Sequence, residues 1–298
     1  MNRRYFAVAT ALFFFIAGFL CLPLRAEKIG FRLSLATRSL GDNDVNTWLN
    51  SYNELWTDWK DRKGGSLSGR FEPLAFDPGL EAELRINIYR GLAFNIGAGS
   101  IQSRKEGQIL YLGAGSGQKE THVLSNEVRA VPLKLGLSYS QPVYGGLSLF
   151  VTAGRHVTFI KYKVQENYEA SISSLGQEFV YWFKKNNDYK SEALGFYASL
   201  GAEYSPVRFL GFVVEAEHVW SRADGFKGPY SYSNHLGISE NGKASLYFYE
   251  SDEWGLGQYY PTLQGQEERP DASVVKNLRQ GEFDFGGLSL KVGLRVKF

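Results

Sequence analysis

Cysteine and histidine are scarce in this chain of 298 residues. Its one cysteine is Cys21, in the apolar stretch near the N-terminus, and there are four histidines. Loss of that stretch on maturation would leave neither a disulfide nor a thiolate nucleophile. Transition-metal sites depend on cysteine and histidine ligands. We therefore predict no metal and no cofactor.

An excess of either charge is also lacking. The sequence has 33 basic and 31 acidic residues. Removal of residues 1–26 would take away three arginines and no acid, leaving 30 basic residues against 31 acidic ones. A nearly neutral chain lacks the basic surface that nucleic acid requires, so no nucleic-acid partner is expected.

Long apolar runs are missing beyond the N-terminal region. Arg3 and Arg4 precede an apolar run over 5–24, and Ala26 offers a small residue for cleavage. This pattern predicts a secretory signal peptide over 1–26, with an uncleaved membrane anchor as the alternative. No later stretch approaches the roughly 20 apolar residues of a membrane helix. Residues 27–298 are predicted to form a single domain.

Strict alternation of apolar and polar residues takes the place of such runs. At the C-terminus, apolar residues occupy every second position: Leu288, Leu290, Val292, Leu294, Val296 and Phe298. The residues between them are Ser289, Lys291, Gly293, Arg295 and Lys297. A period of two places the apolar set on one face of a strand and the cations on the other.

The same alternation predicts eight strands. They span residues 28–37, 79–88, 92–103, 123–139, a segment from 147, 193–204, 209–220 and the terminal segment. The connections after the second, fourth and sixth strands are short and the others are long, which is typical of bacterial outer-membrane barrels. The predicted fold is all-β, an antiparallel transmembrane β-barrel of eight strands. Ten strands are the alternative, because Ala244, Leu246 and Phe248 alternate within the last long connection.

The terminal strand resembles the closing strand of bacterial outer-membrane barrels, which ends on an aromatic residue. With the other strand segments it makes residues 28–37, 79–103, 123–162, 192–220 and 284–298 similar to the OmpA-type and OmpW-type superfamily of small barrels. The resemblance implies a location in the bacterial outer membrane and an assembly signal at Gly293, Val296 and Phe298. It also implies partners: the barrel-assembly machinery, periplasmic chaperones, and outer-membrane lipid with lipopolysaccharide. A monomer is expected.

The inward positions of the predicted strands are charged. They include Glu81, Glu83, Arg85, Lys134, Glu203, Glu215, Glu217 and Arg295. An eight-stranded barrel is just wide enough for side chains to fill it, and unpaired buried charge is costly. We therefore predict a network of salt bridges that plugs the lumen. The alternative is a narrow ion path or gate through the same residues.

The long connections carry aromatic residues. In the first, Trp48, Tyr52, Trp56 and Trp59 share one face of a predicted helix that ends before Gly64-Gly65. This face would form a lid on the barrel mouth, lie in the outer leaflet, or line a pocket for an apolar ligand. A second short apolar face is expected in the third long connection, at Ile172, Leu175, Phe179, Trp182 and Phe183.

Pro132 interrupts the fourth predicted strand. Because proline cannot donate to the ladder, a bulge or local opening is expected there. In OmpW-like barrels such an opening is thought to release apolar molecules sideways into the membrane.

Catalytic patterns were sought among the histidines. No histidine is followed two positions later by serine, as in barrel lipases, and Ala216 stands where an omptin-type protease needs an acid before His218. We therefore expect no enzyme. The predicted role is non-catalytic, in envelope integrity or surface interaction through the loops. The alternative is a channel or transporter for small apolar molecules, with lateral exit near Pro132.

Overall fold

The computed structural model describes residues 29–38, 43–114, 117–174, 177–252 and 254–298. The predicted signal peptide lies outside these residues. No helix among the described residues is long and apolar enough to cross a membrane.

An antiparallel β-sheet closes into a ring through eight strands, which confirms the predicted fold class at this level. The ring strands are β1 (Ile29–Arg38), β3 (Gly79–Tyr89), β4 (Leu92–Gly99), β6 (Gln118–Tyr144), β7 (Leu147–Ser174), β8 (Gln177–Val207), β9 (Leu210–Ala223) and β15 (Gly287–Lys297). Each pairs with its neighbours in this order, and β15 pairs with β1 to close the ring. Among the described residues, the alternating segment near Ala244 therefore adds no strand to the ring.

Short turns connect the ring strands at one end, which we call the turn end. Arg90-Gly91 joins β3 to β4, and Gly145-Gly146 joins β6 to β7 with both glycines at positive φ, 57° and 84°. Such angles suit the two-residue hairpin turns that match strand twist. A side chain at Gly146 would lie 2.6 Å from the carbonyl oxygen of Ser205, so the turn also needs glycine for space. The opposite end of the ring is called the loop end.

The outer wall near the turn end is an apolar belt. The predicted outward residues are exposed, among them Leu35, Leu80, Leu135, Leu194, Val214 and Val292. Aromatic residues stand exposed at the turn end of this belt: Tyr89, Tyr139, Tyr144, Tyr204, Phe209 and Phe298. Such a ring of aromatics is typical of a membrane interface.

Three ring strands are far longer than predicted. β6, β7 and β8 have 27, 28 and 31 residues, whereas a membrane crossing takes roughly 9–11. Their polarity inverts beyond the belt. On β6 the outward residues become polar at Glu127 and Arg129, while the inward residues become apolar at Leu124 and Val128.

The third long connection is a β-hairpin extension, and the predicted helical face there is wrong. Ile172 pairs with Phe179, and Glu169 pairs with Trp182, in an unbroken β7–β8 register. Leu175 lies outside the described residues. The apolar residues of this segment lie instead on a β-hairpin that extends beyond the belt.

Additional strands continue the wall beyond the loop end. They are β2 (Ser66–Arg70), β5 (Ile101–Leu112), β10 (Lys227–Asn234), β11 (Ser239–Ser251), β12 (Tyr260–Gln266), β13 (Lys276–Gln280) and β14 (Phe283–Asp284). β5 pairs with β6, and β10 pairs with β8. Together with the upper parts of β6, β7 and β8 they form the loop-end assembly.

One helix, α1 (Asp44–Lys63), fills the mouth of this assembly. The Asn43 side chain accepts a 2.8 Å hydrogen bond from the backbone N–H of Asn46, which caps the first turn. Gly64, at a φ of 72°, follows the last residue, and its backbone N–H donates to the Lys60 carbonyl at 2.8 Å. The helix therefore contains the predicted aromatic face and ends just before Gly64-Gly65.

The strand pairing around Pro132 differs from the predicted bulge. Its ring is buried on the inner side, and β6 keeps an unbroken register with β7 through Pro132. On the other side of β6, pairing with β4 ends at Leu133 and pairing with β5 begins at Ala130. The missing N–H therefore falls where one neighbouring strand gives way to the next, and no bulge forms in the β6–β7 ladder there.

Candidate functional site

The interior near the turn end holds a network of buried charges. Lys134 and Lys291 each place the ammonium nitrogen 2.6 Å from a Glu81 oxygen and 2.6 Å from a Glu217 oxygen. Lys291 also lies 3.9 Å from Glu215. These residues come from β3, β6, β9 and β15, so the group ties together strands from around the ring.

A second group lies closer to the turn end. Arg32 contacts Glu83 at 2.8 Å and also binds Glu215. Arg295 contacts Glu83 at 3.2 Å and also binds Glu203. The ammonium of Lys297, at the rim, is 2.5 Å from Glu203.

Arg85 is also buried in this part of the interior. Its Nε donates to the side-chain oxygen of Asn87 at 3.2 Å. The eight predicted lumen residues thus all lie in the interior, seven of them in ion pairs with one another or with Arg32, Lys291 and Lys297.

The sequence analysis left out two members of the network. Arg32 lies between the outward residues Phe31 and Leu33, so alternation alone would have placed it inside. Its side chain is 2% exposed. Arg38, at the end of β1, reaches Glu217 at 3.4 Å and lies at the loop-end limit of the network.

His156 stands beside this network. Its Nδ1 is 3.1 Å from the Thr158 hydroxyl, and both side chains face the interior. Among the described residues, no three His, Cys, Asp or Glu side chains are grouped so that they could hold a metal ion.

Above the charges, the interior becomes an apolar core. Val45, Leu49 and Trp56 of α1 are fully buried there, and Trp48 is 7% exposed. They belong to one cluster with residues of the surrounding wall: Ile109, Tyr111, Leu124, Val128, Ile160, Tyr162, Tyr189, Phe226, Phe283 and Phe285. The helix thus lies within the mouth and does not lie along a membrane surface.

Polar side chains hold α1 in place. Asn53 and the backbone of Phe71 exchange two hydrogen bonds of 2.8 Å. Asn46 does the same with Leu74, at 3.1 and 2.7 Å. The two amides therefore act like a neighbouring strand for this segment, whose backbone groups would otherwise lack partners.

The predicted aromatic face of α1 packs against the last long connection. Trp254 lies edge-on to both Trp56 and Trp59, with ring centroids 5.1 Å apart in each case. Tyr52 contacts Trp254 and the imidazole of His122. Trp59 and Tyr52 remain partly exposed at the edge of this packing.

A cleft of about 700 Å³ opens beside Tyr52. Its walls are aromatic and acidic, lined by Tyr168, Phe183, Tyr230, Tyr232, Trp254, Glu166, Glu240 and Glu267. At its edge the His122 Nε2 lies 3.0 Å from a Glu166 oxygen. Burial alone would raise the pKa of Glu166, but the contact with His122 and then the charge of Lys185 lower it below the ordinary 4.5.

The predicted assembly-signal residues lie on β15 and just beyond it. Phe298 is 57% exposed, and its backbone N–H donates to the Ile29 carbonyl at 2.8 Å, so the final residue still pairs with β1. A side chain at Gly293 would lie 2.3 Å from the Ser34 hydroxyl. Glycine therefore makes room for the inward side chains on either side of it.

Solved structures that resemble this chain include two outer membrane proteins. The outer membrane protein OprG from Pseudomonas aeruginosa matches with a TM-score of 0.41 and 11% identity, covering 92% of this chain and 97% of the other. A major outer membrane protein from Thermus thermophilus matches with a TM-score of 0.34 and 11% identity, covering 91% and 99%. No protein-family model and no curated protein matches the sequence. The fold described above rests on the strand pairings of this chain.

Proposed function

We propose that this protein is a non-catalytic barrel of the bacterial outer membrane that is sealed along its axis. Its role would be envelope integrity or surface interaction, exercised through the loop-end assembly. The observation that supports the proposal is that two different groups of side chains fill the interior at two levels. Buried ion pairs occupy the part inside the belt, and the apolar core built on α1 occupies the part above it.

The outer surface supports the membrane location. The belt carries exposed leucine, valine and phenylalanine side chains, which would be costly to leave in water over so large an area. Short connections at the turn end and long structured ones at the loop end match outer-membrane barrels, in which the short turns are periplasmic. We therefore place the loop-end assembly outside the cell.

We interpret the loop-end assembly as a rigid body that is suited to binding. Long paired strands, a capped helix and the Trp56–Trp254 contact make it a fixed body. Its open cleft beside Tyr52 presents aromatic rings and carboxylates, the side chains that commonly supply contact area and hydrogen bonds in recognition. No partner besides lipid, lipopolysaccharide and the assembly machinery is proposed, and the protein is taken as a monomer.

A second candidate function is transport of small apolar molecules with lateral exit near Pro132. The observation in its favour is the break between β4 and β5 opposite Pro132, where a space of about 20 Å³ is lined by Arg38, Glu81 and Ser100. Such a space is the size of one water molecule. The packed apolar core above this small space is a further argument for the sealed barrel over lateral transport.

Uptake of a hydrophobic fluorescent probe by intact cells separates the two functions. For a sealed barrel, cells with and without the protein take up the probe equally, and Trp56→Ala lowers thermal stability. Transport would give faster uptake in the presence of the protein. Trp56→Ala would then abolish that gain without a loss of stability. Phe179→Ala, at a 62% exposed position, is the matched control.

A further inference from the structure

Arg155 is an arginine on the outer wall of the barrel. It follows Val151 and Ala153 in the outward set of β7, and its cross-strand neighbours are Leu135 and Phe196. The guanidinium lies over the Phe196 ring, 4.9 Å from its centroid. Within the described part of the chain, no carboxylate lies at ion-pair distance from it.

The height of Arg155 places it toward the loop end of the belt. It is eight residues beyond Leu147, the first residue of β7. At about 3.3 Å per residue and a tilt of about 40°, this is roughly 20 Å along the barrel axis, within an apolar band of about 25 Å. An arginine facing lipid there is unfavourable unless an anion accompanies it.

Two grooves on the outer wall meet at Arg155. One has a volume of about 330 Å³ and is lined mainly by apolar residues, including Phe31, Leu84, Ile96 and Leu133. The other, of about 890 Å³, is lined by Leu194, His218, Trp220, Arg222 and the acidic Asp284, whose carboxylate lies 4.0 Å from the Arg222 guanidinium. An apolar groove beside a cation and a second groove with further polar groups match a lipid with an anionic headgroup.

The residues of the second groove fit a lipid–water interface. Trp220 is 54% exposed, and the His218 ring lies against it at a tilt of 54°, with centroids 4.5 Å apart. Tryptophan favours this interface because its ring is apolar and its N–H is polar. Arg222 is already engaged by Glu282 at 2.8 Å, so Arg155 is the cation open to a ligand.

We infer that Arg155 and the two grooves bind a phosphorylated glycolipid of the outer leaflet, of the lipopolysaccharide class. Acyl chains occupy the groove lined by Phe31 and Leu133. A headgroup phosphate accepts paired hydrogen bonds from the Arg155 guanidinium, which suits phosphate geometry. This inference rests on the proposed outer-membrane location, because that places the loop end in the glycolipid leaflet.

The test is lipid retention by the refolded full-length barrel, measured by native mass spectrometry during titration with diphosphoryl lipid A. Arg155→Gln is expected to weaken binding roughly tenfold or more, the effect of losing hydrogen bonds to a charged group. Arg155→Lys keeps the positive charge but cannot donate the paired hydrogen bonds. Its affinity for lipid A is expected to lie between those of the wild type and Arg155→Gln. Arg129→Gln is the control, since that side chain is outward and 61% exposed beyond the belt.

Two further lipids identify the source of the phosphate. Dephosphorylated lipid A should bind the wild type as weakly as diphosphoryl lipid A binds Arg155→Gln. Phosphatidylglycerol binding as tightly as lipid A would overturn the glycolipid assignment. Equal lipid A binding by wild type and Arg155→Gln would overturn the site itself. Because Arg155 does not face the interior, Arg155→Gln should stay non-conducting, so failure of this site is distinguishable from failure of the sealed-barrel proposal.

Discussion

Glu81 and Glu217 hold two lysines between them in the middle of the barrel. The ammonium groups of Lys134 and Lys291 are each 2.6 Å from both carboxylates. Two anions and two cations in mutual contact leave each charge balanced where water is largely excluded. This arrangement makes each member of the group depend on the others.

Replacing one carboxylate should therefore destabilise the barrel. In Glu217→Gln, Lys134 would keep only Glu81 as a partner, and Lys291 would keep Glu81 and the more distant Glu215 at 3.9 Å. Breaking a buried ion pair from one side typically costs about 3–5 kcal/mol. Urea-induced unfolding in lipid vesicles measures the loss. Glu192→Gln, at an exposed outward position of β8, should leave the midpoint unchanged. An unchanged midpoint for Glu217→Gln would show that the network contributes nothing to stability.

Alternation predicted the part of the fold that faces the belt. There the outward residues are apolar and the inward ones charged, so both the eight strands and residues such as Glu81 and Arg295 could be placed from the sequence. Beyond the belt the pattern reverses, as Arg129 outside and Val128 inside illustrate. Apolar residues were expected on the outside throughout. The predicted strands over β6 and β8 therefore begin too late in the chain, and the loop-end assembly was not predicted.

The contacts between distant segments of the chain could not be predicted from the sequence. Helical periodicity found α1 and its aromatic face, but the partner of that face is Trp254, some 200 residues away in an irregular connection. The glutamate–lysine pairs likewise depend on which strands face each other across a closed ring. No local pattern contains that information.

Acid should weaken the loop-end assembly through Glu166. Its pKa is lowered in the folded protein, so its contribution is fully present above about pH 4.5 and is lost as the pH falls through the lowered value. At pH 7, Glu166→Gln should reduce stability by about 1.5–3 kcal/mol, the range for a hydrogen bond to a charged group.

Near-UV circular dichroism during heating at a series of pH values follows this assembly. The difference between wild type and Glu166→Gln should shrink progressively as the pH falls below about 4.5. The neighbouring exposed Glu169→Gln is expected to match the wild type throughout. A difference that persists undiminished at pH 3 would contradict the assignment to Glu166.

Removal of Phe298 should block assembly. From the resemblance of the terminal strand to other outer-membrane barrels, we propose that this residue is part of the signal that the assembly machinery recognises. Protease accessibility of the loops on intact cells reports surface exposure. The truncated protein should be periplasmic or degraded, with Phe209→Ala, another exposed aromatic at the turn end, reaching the surface normally. Normal surface exposure of the truncated protein would refute the assignment.

Conductance of the refolded protein in a planar bilayer tests the sealed interior most directly. The wild type and the Glu215→Gln/Glu217→Gln double variant should both be silent, because the apolar core around Trp56 still closes the mouth when the ionic layer is weakened. Exposed Glu106→Gln serves as the matched control. Stable openings in the wild type, or a large new conductance in the double variant, would show that the charge network is an ion path or gate and would contradict the account.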